Sequence, residues 1–272
     1  MDTWVAAYLA REFPGVALWA PTQRTQVDFD LSVRRDGKLL ILEQKAPVYG
    51  ARKADHHIQI DVGGARGRHG QLWRYCTDQR LVGLVWYVLP VPPYAAAHAV
   101  GRGSALLPDL ARARVSGHAW GAGAPCEDWF YVVPAQDLYT WLRRSFRPGR
   151  RIMPPLPSIG EPQPTGLVGK RSFACADLLG VGPQHLMTLR QWAGAVKACS
   201  VEGGLVKDGQ IVHAGRLVRD GETLLDGRTV NIPLDGPPEI SAASSTTAEP
   251  PSRSPGSTRA LFVPSDDIPA WS

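Results

Sequence analysis

No stretch of this chain is apolar for long enough to cross a bilayer, so a helical membrane span is not expected. Cysteine is scarce: four residues, Cys76, Cys126, Cys175 and Cys199, form no Cys-x-x-Cys step and no Cys/His cluster. That spacing argues against a zinc ligand set and fits isolated thiols in a reducing compartment. The first residues, Met-Asp-Thr-Trp, lack the basic start and apolar core of a secretory leader, and a cytoplasmic setting is expected. Also missing is a Gly-x-x-x-x-Gly-Lys loop, so ATP-driven translocation would need another chain.

What is present suits a soluble globular protein. The chain has 272 residues and is 44% hydrophobic, enough for one domain of ordinary size with a real core and a second small one. Thirty Lys and Arg against 25 Asp and Glu leave a net charge of +5, which suits a polyanionic partner without requiring one.

Residues 27–45 carry the chemistry. Val27, Phe29, Leu31 and Val33 alternate with Asp28, Asp30 and Ser32, the pattern of a half-buried strand. Asp36-Gly37 is a turn signal, so residues 39–45, Leu-Leu-Ile-Leu-Glu-Gln-Lys, are expected to return as the neighbouring strand of a hairpin. Glu43 and Lys45 then share a face and can meet an acid from the first strand. Two close carboxylates repel, and a divalent cation such as Mg²⁺ relieves the repulsion with one or two carboxylates, waters and phosphate oxygens. A lysine beside that cation can orient the attacking water or offset charge developing on phosphorus.

Asp28, a hairpin, and then Glu43-Gln44-Lys45 after an apolar run resemble the core motif of the PD-(D/E)XK, or restriction-endonuclease-like, nuclease superfamily. Gln71-Leu-Trp-Arg-Tyr75 is similar to the Gln-x-x-x-Tyr helix motif of its RecB-type members. The resemblance covers about the first half of the chain and lacks the proline that often precedes the first aspartate. It implies a mixed sheet flanked by helices and a Mg²⁺ site, with Mn²⁺ as a substitute, held by Asp28 and Glu43. Asp28 and Asp30 share a face; the family pattern favours Asp28 as the ligand. Lys45 is the implied catalytic lysine, with Gln71 and Tyr75 nearby. A helix preceding the core hairpin often supplies a further acid in this superfamily, and Glu12 is the residue so placed.

The rest of the chain is read as support. Residues 3–13 form an amphipathic helix ended by Pro14-Gly15. Between the motifs, Arg52, Lys53, Arg66 and Arg68 are placed to contact a nucleic-acid backbone without reading its sequence. A helix over 70–78, a buried strand over 81–89, a strand over 127–133 and a helix over 135–146 complete an α/β domain at 1–151. A proline-dense linker is expected at 152–167. A small appended α+β domain follows at 168–236, with helical stretches over 172–179 and 183–198 and a β-meander with Asp-Gly turns. Residues 237–258 are rich in Ser, Thr, Pro and Ala, and the tail at 237–272 is expected to be disordered. Asp266-Asp267-Ile268-Pro269 resembles the acidic tip of bacterial single-stranded-DNA-binding proteins, which implies a protein partner for the tail.

The expected function is therefore Mg²⁺-dependent hydrolysis of phosphodiester bonds in DNA, in repair, recombination or defence. The alternative is a nuclease-like fold that binds DNA or a protein without cutting.

Overall fold

The computed structural model describes residues 2–19, 36–49, 56–64, 70–91, 129–145, 153–167, 169–179, 182–207, 210–213, 216–218, 222–225, 228–231 and 256–271. In chain order the first half gives α1 (Asp2–Glu12), β1 (Ala17–Trp19), β2 (Gly37–Lys45), β3 (Val48–Tyr49), β4 (His56–Gly63), α2 (Gln71–Thr77), β5 (Val85–Pro90), β6 (Phe130–Pro134) and α3 (Ala135–Ser145). The second half gives β7 (Gly169–Ala174), a 3₁₀ turn (Cys175–Leu179), β8 (Met187–Thr188), α4 (Leu189–Lys197) and β9 (Gly204–Lys207). Then follow β10 (Gln210–His213), β11 (Arg216–Val218), β12 (Glu222–Leu225), β13 (Arg228–Asn231), β14 (Gly256–Pro264) and a last 3₁₀ turn (Ser265–Asp267).

The axis of this mixed α/β fold is β2, buried along its whole length. Its unbroken run Leu39-Leu40-Ile41-Leu42 suits a strand covered on both faces. On one edge β14 runs antiparallel to all nine of its residues, from Gly256 opposite Lys45 to Pro264 opposite Gly37. On the other edge β9 pairs with Gly37–Leu39 and β5 runs parallel to Ile41–Gln44, end to end. β6 and β8 continue the sheet beyond β5, β10 and β11 continue it beyond β9, and β1 pairs with β14.

Alternation sends Leu40 and Leu42 into one core and Ile41 into another. The first core is filled by Val5, Leu9 and Phe13 from the α1 end of the chain and by Trp192 and Val196 of α4. The second takes Leu72 and Trp73 of α2, Leu138 and Tyr139 of α3, and Ile58, Ile60 and Val62 of β4, whose own three-stranded sheet has the order β3-β4-β7. Helices thus cover both faces of the large sheet.

Several expectations are met closely. α1, α2 and α3 fall where the periodicity puts them, and β9, β10 and β11 form an antiparallel meander; β5 starts four residues later than expected, because 81–84 form a turn, and β6 runs over Phe130–Pro134. Others need correction. The expected hairpin between residues 27–33 and the motif strand has no edge of β2 left to use, because β14, β5 and β9 fill both. Residues 20–35, with Asp28 and Asp30, lie outside the described residues. The stretch 172–179 is not helical throughout, since Ser172–Ala174 belongs to β7 and pairs with β4. The helix expected over 183–198 starts only at Leu189, where the Thr188 hydroxyl accepts a hydrogen bond from the Gln191 amide and Gln191 Oε1 accepts one from the Thr188 amide.

The boundary at 152–167 is also corrected. Gly160 donates to the Thr77 carbonyl, Trp73 Nε1 to the Glu161 carbonyl and Tyr139 OH to the Pro154 carbonyl, so the proline-rich stretch is a strap packed on α2 and α3. Elements from 168–236 share both cores and the large sheet with the first half instead of forming a separate unit. Part of the tail is ordered as β14, and its acidic end is docked on its own chain. Asp267 accepts from the Gly15 amide at 2.7 Å, Ile268 is buried, and Ala270 donates to the Lys197 carbonyl.

If β14 is an integral strand, Leu261→Ala, at a fully buried position, will lower stability by about 2–5 kcal/mol in urea denaturation. An unchanged midpoint would restore the disordered tail.

Candidate active site

Glu43 and Lys45 lie one strand-step apart on the face of β2 that carries Ile41. Both are almost wholly buried, and the Lys45 ammonium sits 2.7 Å from Glu43 Oε1. A buried ion pair is tolerated only when its remaining lone pairs and protons find partners. Here they come from α2. Lys45 Nζ donates to Gln71 Oε1 at 2.8 Å, Gln71 Nε2 donates to Tyr75 OH at 2.9 Å, and Tyr75 OH donates to Glu43 Oε2 at 3.0 Å. The four side chains close a ring of hydrogen bonds. Gln71 and Tyr75 can both reach it because residues four apart in a helix share a face, while Leu72, Trp73 and Cys76 anchor α2 in the core.

Burial, reinforced by the Glu43 charge, holds the Tyr75 hydroxyl well above its ordinary pKa, so it stays a proton donor. Tyr87 of β5, opposite Glu43 in the sheet, is raised for the same two reasons. Its ring lies 5.9 Å from Lys45 Nζ and packs edge-on to Tyr75 with centroids 6.0 Å apart, giving the cation an aromatic neighbour.

Four further residues shape this region, and the motif search missed them. Thr258 of β14 sits opposite Glu43 in register, and its hydroxyl donates to Glu43 Oε2. Its signal was the short apolar run after it, Ala260-Leu-Phe-Val263, bounded by Gly256 and Pro264 like a strand. Gln163, in the strap, accepts from the Gly64 and Gly70 amides at 3.1 and 2.6 Å and donates to the Gly64 and Leu167 carbonyls. It pins the start of α2 and hence Gln71. Only glycine fits at position 70, since a Cβ there would lie 2.3 Å from Gly63 Cα. No local sequence pattern marks a glutamine acting across 93 residues. Asp61 of β4 is within electrostatic reach of Lys45; burial raises its carboxyl pKa, opposed by the Lys45 and Lys170 charges. Tyr87 read only as part of an apolar strand.

Of the residues expected to act, Glu43, Lys45, Gln71 and Tyr75 are brought together. Asp28, Arg52, Lys53, Arg66 and Arg68 lie outside the described residues. Glu12 does not join the site: it belongs to the layer on the other face of β2, where its carboxylate accepts from Lys197 Nζ at 2.8 Å and ties α1 to α4. Its expected role as a metal ligand is replaced by that structural bond.

The donor set leaves limited room for a cation. Glu43 Oε2 already accepts from two hydroxyls, whereas Oε1 has Lys45 as its partner and a lone pair to spare. Among the described residues no group of three or more His, Cys, Asp or Glu stands together as a metal cage. This set fits Mg²⁺ held in its usual manner, through one or two carboxylates with waters and phosphate oxygens completing the shell.

Two measurements bear on these contacts. Lys45→Met will cost about 3–5 kcal/mol because it strands the Glu43 carboxylate, and adding Glu43→Gln will restore part of the loss in a double-mutant cycle by urea denaturation. Lys197→Met will cost at most about 1 kcal/mol at pH 7, both partners being partly exposed. The Lys197 hydrogen bond, foremost, lowers the Glu12 pKa, so this stabilisation is present above the unfolded carboxyl range and lost as pH falls through the folded value. The two melting curves should converge in acid.

Comparison of the chain with protein-family models, with curated proteins and with solved structures gives no match, so the reading of this site rests on the chain's own residues.

Proposed function

We propose that this chain is a metal-dependent phosphodiester hydrolase acting on DNA. The observation that carries the reading is the closed ring of Glu43, Lys45, Gln71 and Tyr75. Two motifs separated by 25 residues, each weak alone, supply one buried polar cluster where an aliphatic core would otherwise continue. A buried ion pair seldom improves stability over well-packed apolar residues, so its presence favours a chemical role.

In this reading Glu43 and Asp28 would be the carboxylates that hold Mg²⁺ or Mn²⁺. The bound cation supplies Lewis-acid polarisation of the phosphoryl group and an activated water. Lys45 is held by Glu43 and Gln71, which take two of its three N–H donors; the third is left for the attacking water or a phosphate oxygen. Gln71 fixes the lysine, and Tyr75 fixes the glutamate. Arg52, Lys53, Arg66 and Arg68, in the segments flanking β4, supply phosphate contacts that place the DNA backbone.

The non-catalytic alternative draws on one observation: β14 occupies the edge of β2 that a strand bearing Asp28 would need, and Thr258 takes up a lone pair of Glu43. A DNA-binding module of the same fold would carry such contacts without cost.

Cleavage of labelled single- and double-stranded DNA separates the two readings. Wild-type protein will cut with Mg²⁺ or Mn²⁺ and not with chelator, and Lys45→Ala and Asp28→Ala will lose about 10²-fold or more of that rate while remaining folded by circular dichroism. DNA binding without cutting under any metal condition would give the function to the binding module.

A further inference from the structure

We infer that Thr258, on the C-terminal strand, is a positioning residue of the site that fixes the Glu43 carboxylate so that Oε1 alone is presented to a divalent cation. The inference rests on the metal-dependent reading above and adds to it a residue from the far end of the chain.

β14 pairs with β2 without a break, and the register sets Thr258 directly opposite Glu43. Directly opposed side chains on one face of an antiparallel pair are close enough to touch, and here the hydroxyl donates to Oε2. Tyr75 OH donates to the same oxygen from the α2 side. Two hydrogen bonds use both lone pairs of Oε2, so the carboxylate can neither rotate nor chelate a cation through both oxygens without breaking one of them. Oε1, facing Lys45, keeps one lone pair. Partners that orient a ligating carboxylate in this way ordinarily change metal affinity or activity by about 10–100-fold when removed.

Thr258 is half-buried between Ser257 and Arg259, and valine would fit the same strand position with the same branching. The hydroxyl is the only feature that valine lacks.

The test is titration of the full chain with Mn²⁺ by isothermal calorimetry, for wild type, Thr258→Val and Thr258→Ser, with thermal midpoints in chelator showing that each variant is folded. Thr258→Val will stay folded and bind Mn²⁺ about tenfold more weakly, and Thr258→Ser will keep the wild-type affinity because its hydroxyl reaches the same oxygen. Equal affinity in Thr258→Val overturns the inference and leaves the proposed function standing, as does a Thr258→Ser variant as weak as Thr258→Val. A wild-type protein that takes up no Mn²⁺ overturns the metal-dependent reading, and this inference falls with it.

Discussion

A carboxylate and an ammonium buried side by side on the central strand constrain everything packed against them. Removing Glu43 and Lys45 from water costs several kcal/mol for each ion, and their mutual attraction offsets this only with further hydrogen bonds to both. Lys45 therefore needs a carbonyl oxygen, found in Gln71, and Glu43 needs further donors, found in Tyr75 and Thr258. These needs set the face that α2 presents to the sheet and the register at which β14 pairs with β2. A helix turned by one residue, or a strand slipped by one, would leave a charge unpaired.

Support for the ring extends outward in the same manner. Gln163 joins the strap to the first turn of α2 with all of its amide capacity engaged, and the glycines at 63 and 70 let β4 and α2 approach backbone to backbone. The proline-rich stretch thus clamps α2. On the opposite face, Glu12 and Lys197 join α1 to α4 in a partly exposed pair whose contribution is small.

The legible parts of this fold were those governed by local pattern. Period-3.6 and continuous apolar runs located α1, α2, α3, β5 and β6, and the motif residues Glu43, Lys45, Gln71 and Tyr75 pointed to one another before any coordinates. What escaped were long-range choices. Which strand lies beside β2 is decided by pairing across more than 200 residues, and a turn signal such as Asp36-Gly37 says nothing about a distant competitor. Low-complexity composition before β14 hid a nine-residue strand at its end. Proline density at 152–167 suggested a spacer, but proline limits only the local backbone; the strap is bound through the Pro154 carbonyl and through Gly160, Glu161 and Gln163. Glu12 was placed on the right helix, and its side chain was claimed by Lys197, whose approach no motif records.

The pairing of β14 with β2 also orders events in time. Thr258 and Glu43 are 215 residues apart, so a chain leaving the ribosome exposes one edge of its most apolar strand until β14 has been made. Closing so long a loop is slow, and an open hydrophobic edge invites pairing with other chains in the interval. Because the same strand carries the last donor to Glu43, the contacts to that carboxylate cannot be complete before β14 has been made. Assembly of the central sheet and completion of the contacts to Glu43 become one step.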